Sequence, residues 1–139
     1  MSLKQHEGGC LCGDVRFQVT GDPLWIAHCH CDSCRRNTAA VMATFMGVRQ
    51  NQFIYVKGEP AQYHSSPGVT RSFCNRCGTP LTYEADHYKD EVHVNIGSLD
   101  SPQDFAPQKH VWVDQQLPWL RVDEHLPRYA ATARKSSPI

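Results

Sequence analysis

Seven cysteines in three tight clusters constrain this chain more than anything else in its 139 residues. Cys10 and Cys12 form a C-x-C, Cys29, Cys31 and Cys34 a C-x-C-x-x-C, and Cys74 and Cys77 a C-x-x-C. An odd number of thiols cannot be fully paired, and cysteines two residues apart are poorly placed for an unstrained disulfide. No charged-then-apolar leader opens the sequence, so the chain is expected to be cytoplasmic and reduced. Clustered thiols in that setting read as metal ligands.

Zinc takes four ligands in a tetrahedron, with Zn–S near ~2.3 Å, and two short chelates from distant parts of a chain supply them without strain. The natural partition is four plus three. Cys10, Cys12, Cys74 and Cys77 make a closed, structural site, and Cys29, Cys31 and Cys34 make an open one that leaves a position for water or substrate. Gly8, Gly9, Gly13 and Gly78 flank the two pairs, letting backbone amides turn towards sulfur. A closed zinc site contributes ~10–16 kcal/mol at neutral pH, so its loss is expected to unfold the domain. Reading Cys74-Asn75-Arg76-Cys77 as a redox pair needs a strand running into a helix, and Gly78-Thr79-Pro80 breaks any helix there.

Around the triad, Asp32 is expected to cap a short helix starting at Ser33, with Cys34 in its first turn and Arg35 and Arg36 favouring the thiolate. Three alternatives stay open. The triad forms a second structural zinc site with His28 or His30 as fourth ligand, it forms a disulfide between two of its cysteines, or it works as a thiol redox pair through Cys31 and Cys34. If the segment is extended, both histidines lie on the face opposite Cys29 and Cys31, which disfavours them as ligands.

The remainder reads as short strands between turns: Val15–Val19, Leu24–Cys29, Val41–Val48, Phe53–Lys57, Val69–Phe73, Leu81–Glu84, Glu91–Ile96 and His110–Val113, punctuated by Gly21-Asp22-Pro23, Gly58-Glu59-Pro60 and Ser66-Pro67-Gly68. The fold is expected to be mainly β, with its strands mostly antiparallel. It should form a single domain over residues 7–130, with flexible ends at 1–6 and 131–139. Met1-Ser2-Leu3 reads as vector sequence, and the end around Lys135 as a frayed tail. His93 is expected on an exposed strand face, and Trp112 and Trp119 over the core. Ser98 and Asp100 point weakly to a binding edge, and Tyr63 and His64 have no assignable role. Fourteen basic residues balance fourteen acidic ones, which argues against nucleic acid or anionic lipid as partners. The longest apolar run, Ala39–Ala43, is far too short to span a membrane.

Gly8-Gly9-Cys10-Leu11-Cys12-Gly13, Cys29-His30-Cys31-Asp32-Ser33-Cys34-Arg35, Arg71-Ser72-Phe73-Cys74-Asn75-Arg76-Cys77-Gly78-Thr79-Pro80 and Asn95-Ile96-Gly97-Ser98-Leu99-Asp100 together resemble the glutathione-dependent formaldehyde-activating enzyme family, which includes the centromere protein V type. The resemblance runs from about Glu7 to Tyr129 and takes in all seven cysteines. It implies an Mss4-like fold of coiled antiparallel sheets around a zinc. It further implies a structural zinc on Cys10, Cys12, Cys74 and Cys77 and a catalytic zinc on Cys29, Cys31 and Cys34. The implied activity is that of a carbon–sulfur lyase, joining glutathione and formaldehyde as S-hydroxymethylglutathione or acting on another small thiol and aldehyde. Arg35 and Arg36 are candidates for the glutathione carboxylates. The competing reading is a non-catalytic zinc module that binds another protein.

Overall fold

In the computed structural model, which describes residues 3–134 and 136–139, ten strands and one short helix follow one another. They are β1 (Gln5–Gly9), β2 (Arg16–Thr20), β3 (Trp25–Cys29), α1 (Asp32–Thr38), β4 (Ala43–Arg49), β5 (Phe53–Lys57), β6 (Ala61–Ser66), β7 (Val69–Phe73), β8 (Pro80–Ala85), β9 (Glu91–Asn95) and β10 (Lys109–Val111). Met1, Ser2 and Lys135, on which part of the vector and frayed-tail expectations fell, lie outside the described residues. The chain forms two compact units, Met1–Trp25 with Met46–Phe105 and Ile26–Phe45 with Ala106–Ile139.

In the first unit, β2 shows the period-2 alternation of a half-covered strand: Phe17 and Val19 are fully buried while Arg16, Gln18 and Thr20 keep partial exposure. It pairs antiparallel with β1 on one side and β5 on the other. Phe17 stacks on Phe53 at 5.1 Å, and Gly8 makes room for it, since a Cβ there would lie 2.4 Å from the Phe17 ring. Strands β6 to β9 form an antiparallel meander in the order β9-β8-β7-β6. In the second unit β10 lies parallel to β3, pairing His110 with His28 and Val111 with Cys29. Strand β4 begins in this unit and ends in the first.

The mainly β, mostly antiparallel expectation holds, with β3 and β10 as a parallel pair. Two side-chain expectations are corrected. His93 is buried like its neighbours Val92 and Val94, and its side of β9 is covered: Trp25 meets its ring edge-on at 4.6 Å, and Tyr83 and Tyr88 lie against it at 5.3 and 5.1 Å. Trp119 is 64% exposed and so does not cover the core. Strands β1 and β6 carry no apolar alternation, which is why pattern alone did not show them. Among the described residues no helix is long and apolar enough to cross a membrane.

Candidate functional site

Two cysteine groups form, each within one unit. The first joins two turns built alike. After β1, the Cys10 amide donates to the Val15 carbonyl and the Gly13 amide to the Cys10 carbonyl. After β7, the Cys74 amide donates to the Thr79 carbonyl and the Gly78 amide to the Cys74 carbonyl. Gly13 and Gly78, at φ +83° and +81°, take the left-handed turn that a Cβ would strain. Sulfur separations are 3.6 Å for Cys10–Cys12 and 3.7 Å for Cys12–Cys74. Four sulfurs ~2.3 Å from a central zinc stand ~3.8 Å apart, so the donor set fits a tetrahedral ion and is far from disulfide contact.

The surroundings of these sulfurs favour thiolates. The Val15 amide donates to Cys10 Sγ at 3.3 Å and the Arg76 amide to Cys74 Sγ at 3.4 Å. Thr79 ties the two turns together: its hydroxyl accepts the Leu11 amide at 3.0 Å, which directs its own proton to Cys77 Sγ at 3.2 Å. That hydroxyl, with the Thr79 and Cys12 amides, holds the Cys77 thiol down at about 5. Cys12 behaves oppositely. Although the Asp14 amide favours its thiolate, burial and the other three sulfurs push it up to about 12.

The second group gathers the Sγ atoms of Cys29, Cys31 and Cys34 within 4.8 Å of one another. Cys29 closes β3, and Cys34 sits in the first turn of α1. The cap of that helix differs from expectation: it is Cys31, extended at φ −64° and ψ 148°, whose sulfur accepts the Cys34 amide at 3.3 Å. Asp32 is already helical, and its carboxylate accepts from Arg35 at 3.0 Å and Arg36 at 3.1 Å. Burial and the adjoining Cys31 and Cys34 sulfurs, above all their hydrogen bonds, hold the Cys29 thiol strongly up. Three sulfurs so close ionise together only around a cation, which is the chemistry of a metal-binding donor set.

Neither candidate histidine joins the triad. His28 faces Thr44 Oγ1 through Nδ1 and Asp123 Oδ2 through Nε2, both at 2.8 Å. His30 Nε2 lies 2.8 Å from His110 Nδ1, and His110 Nε2 lies 3.0 Å from the Asp123 carbonyl. A carbonyl only accepts, so His110 carries its proton on Nε2 and His30 must donate through its own Nε2. His30 Nδ1 is left as a buried lone pair without a partner. Burial first, then His110 and His28, push His30 down to about 4. Thr44, His110 and Asp123 had no motif to betray them. Asp100 clamps Arg16 through both carboxylate oxygens, Ser98 donates to the Asn95 carbonyl, and His64 meets Thr70, so none of these joins a cysteine group.

A mainly β chain thus carries a four-cysteine group and a three-cysteine group, each able to hold a metal ion and consistent with zinc. The model of the glutathione-dependent formaldehyde-activating enzyme family matches residues 5–115, and the chain belongs to that family. It is also similar in structure to a Rhodobacter sphaeroides protein, with 25% identity and a TM-score of 0.60 over 70% of this chain and 93% of that one.

Proposed function

We propose that the protein is a zinc-dependent carbon–sulfur lyase-like enzyme of the cytoplasm, which joins a small thiol to an aldehyde and reverses that reaction. Glutathione and formaldehyde, giving S-hydroxymethylglutathione, are its first candidate pair. The observation that carries this reading is that a chain of this family holds both an incomplete three-sulfur group and a complete four-sulfur one. Cys10, Cys12, Cys74 and Cys77 would hold a structural zinc. Cys29, Cys31 and Cys34 would hold the catalytic one. When bound there, the ion supplies a position at which an incoming thiol is kept as its thiolate.

The chain's own residues position and shield. Strand β3 and the first turn of α1 fix two sulfurs in buried places and leave Cys31 partly open, so a substrate approaches from the Cys31 side. Arg35 and Arg36 are held by Asp32 in an exposed, exchangeable arrangement, and a glutathione carboxylate would compete with Asp32 for them. The histidine chain from His28 through Asp123 and His110 to His30 packs beside β3 and holds the strand that presents Cys29.

The test is exchange NMR between formaldehyde hydrate and its glutathione adduct, with and without protein. Acceleration that Cys31→Ser abolishes while the fold persists supports the reading. Unchanged exchange with glutathione and with a panel of other small thiols overturns it.

A further inference from the structure

Cys31 is the partly exposed member of the three-sulfur group, whereas Cys29 and Cys34 are 8% and 7% exposed. Its sulfur is aimed at the first turn of α1, where it accepts the Cys34 amide. Spacing decides which neighbour it can join. From a helix cap to the third helical residue the Cα atoms lie ~5 Å apart, inside the ~4.4–6.8 Å range of a relaxed disulfide. Cys29 and Cys31 are separated along extended backbone by ~6.6 Å, at the far limit of that range.

We infer that Cys31 and Cys34 form a hydroperoxide-responsive thiol pair that switches the three-sulfur group off by closing a disulfide. The Cys31 sulfur attacks the outer peroxide oxygen, the O–O bond breaks, and a sulfenic acid forms while the remaining oxygen takes a proton from solvent and leaves as water or an alcohol. The Cys34 thiolate then attacks the Cys31 sulfur, the S–OH bond breaks, and the hydroxide leaves as water with a proton from solvent. Two sulfurs lose one electron each and the peroxide gains both. Of the three donors only Cys29 is left, and one thiolate does not retain a zinc that three held. Access selects the attacking sulfur and helix geometry selects the resolving one. Asp32 and Ser33, the two residues between them, are already set in the first helical turn, so the bond closes without a change in backbone course.

The inference rests on the triad as a metal site, and its readouts do not require thiol–aldehyde exchange. Zinc-loaded protein is titrated with hydrogen peroxide, and thiol content, peptide masses and zinc release are followed. One equivalent is expected to remove two thiols, yield a peptide pair joined through Cys31 and Cys34, and release one zinc while the other stays bound, all reversed by dithiothreitol. In Cys34→Ser a Cys31 sulfenic acid should accumulate and be trapped by dimedone. A disulfide involving Cys29, direct over-oxidation of Cys31, or zinc retained after the disulfide has formed would each overturn the inference. Protein that forms this disulfide yet never accelerates exchange refutes the proposed activity and leaves the switch standing, and the converse result does the opposite.

Discussion

Thr79 joins the two turns of the four-cysteine group through a single hydroxyl, which makes Thr79→Val an incisive perturbation. Valine keeps the shape and the β-branch but removes the acceptor for the Leu11 amide and the donor to Cys77 Sγ. Leu11 is 89% exposed, so its amide regains water and its contribution is small. The weight falls on the sulfur. Partners that orient metal ligands are worth ~10–100-fold in metal affinity, and the hydroxyl is the leading cause of the low Cys77 value. The sign follows from linkage. A thiol held down at about 5 stays ionised above that pH, and protons compete with the metal for it only below, so removing the hydroxyl moves acid-driven zinc release to higher pH. Competition against a chromophoric chelator, repeated across pH, reads both effects, and Thr79→Ser should restore the wild-type curve. Affinity within about threefold of wild type, with an unmoved release midpoint, would refute the account of Thr79 as a ligand-orienting bridge.

Other outcomes follow from the same geometry. Gly47→Ala would place a Cβ 2.3 Å from the Trp25 ring and should cost ~1–3 kcal/mol by overpacking, read as a lowered melting temperature with altered tryptophan fluorescence. An unchanged melt would show that Trp25 moves aside freely. His30 binds its proton only near 4 in the folded chain but near 6.5 when unfolded, so stability is full above 6.5 and falls as pH drops towards 4. The loss is up to ~3 kcal/mol, and His30→Asn should flatten the urea-midpoint profile in that window; superimposed profiles would remove His30 from the account. Cys74→Ser, at a fully buried position, should unfold the protein, while Cys31→Ser should lower its melting temperature far less. Equal losses would favour two structural zinc sites and the non-catalytic alternative.

Legibility in the sequence tracked the local physics. Phe53–Lys57 and Val69–Phe73 were read to the residue because β-branched and aromatic side chains stand between strong turn signals. Gln5–Gly9 was not, since it ends in two glycines placed for Phe17 and Arg16 rather than for strand propensity. The cap of α1 was displaced by one residue because a cysteine sulfur did the work that Asp32 is normally suited to. His93 departs from alternation for a tertiary reason: the pattern assumes one wet face, and on β9 the face that should be wet is covered by Trp25, Tyr83 and Tyr88. Within the candidate site, spacing was enough to divide the cysteines. It could not show Asp123, which approaches His28 from 95 residues away.

The order of the three clusters along the chain explains why the two groups suit different tasks. Cys12 and Cys74 are 62 positions apart, so a metal on the four-cysteine group closes a long loop and fastens the turn after β1 to the turn after β7. The triad lies within a single stretch from the end of β3 into α1, roughly a tenfold shorter loop, and closing it recovers ~2 kcal/mol less chain entropy. Its backbone is also held independently: the His30 amide donates to the Val111 carbonyl, the Asp32 amide to Gln115, and His28 to Asp123. Emptying the triad therefore opens only what the metal itself joined, whereas emptying the four-cysteine group releases a connection that much of the first unit depends on. Under the proposed function, the group that can lose or exchange a ligand without unfolding its surroundings is the one that would admit a substrate sulfur, and the remainder of three cysteines falls in that group.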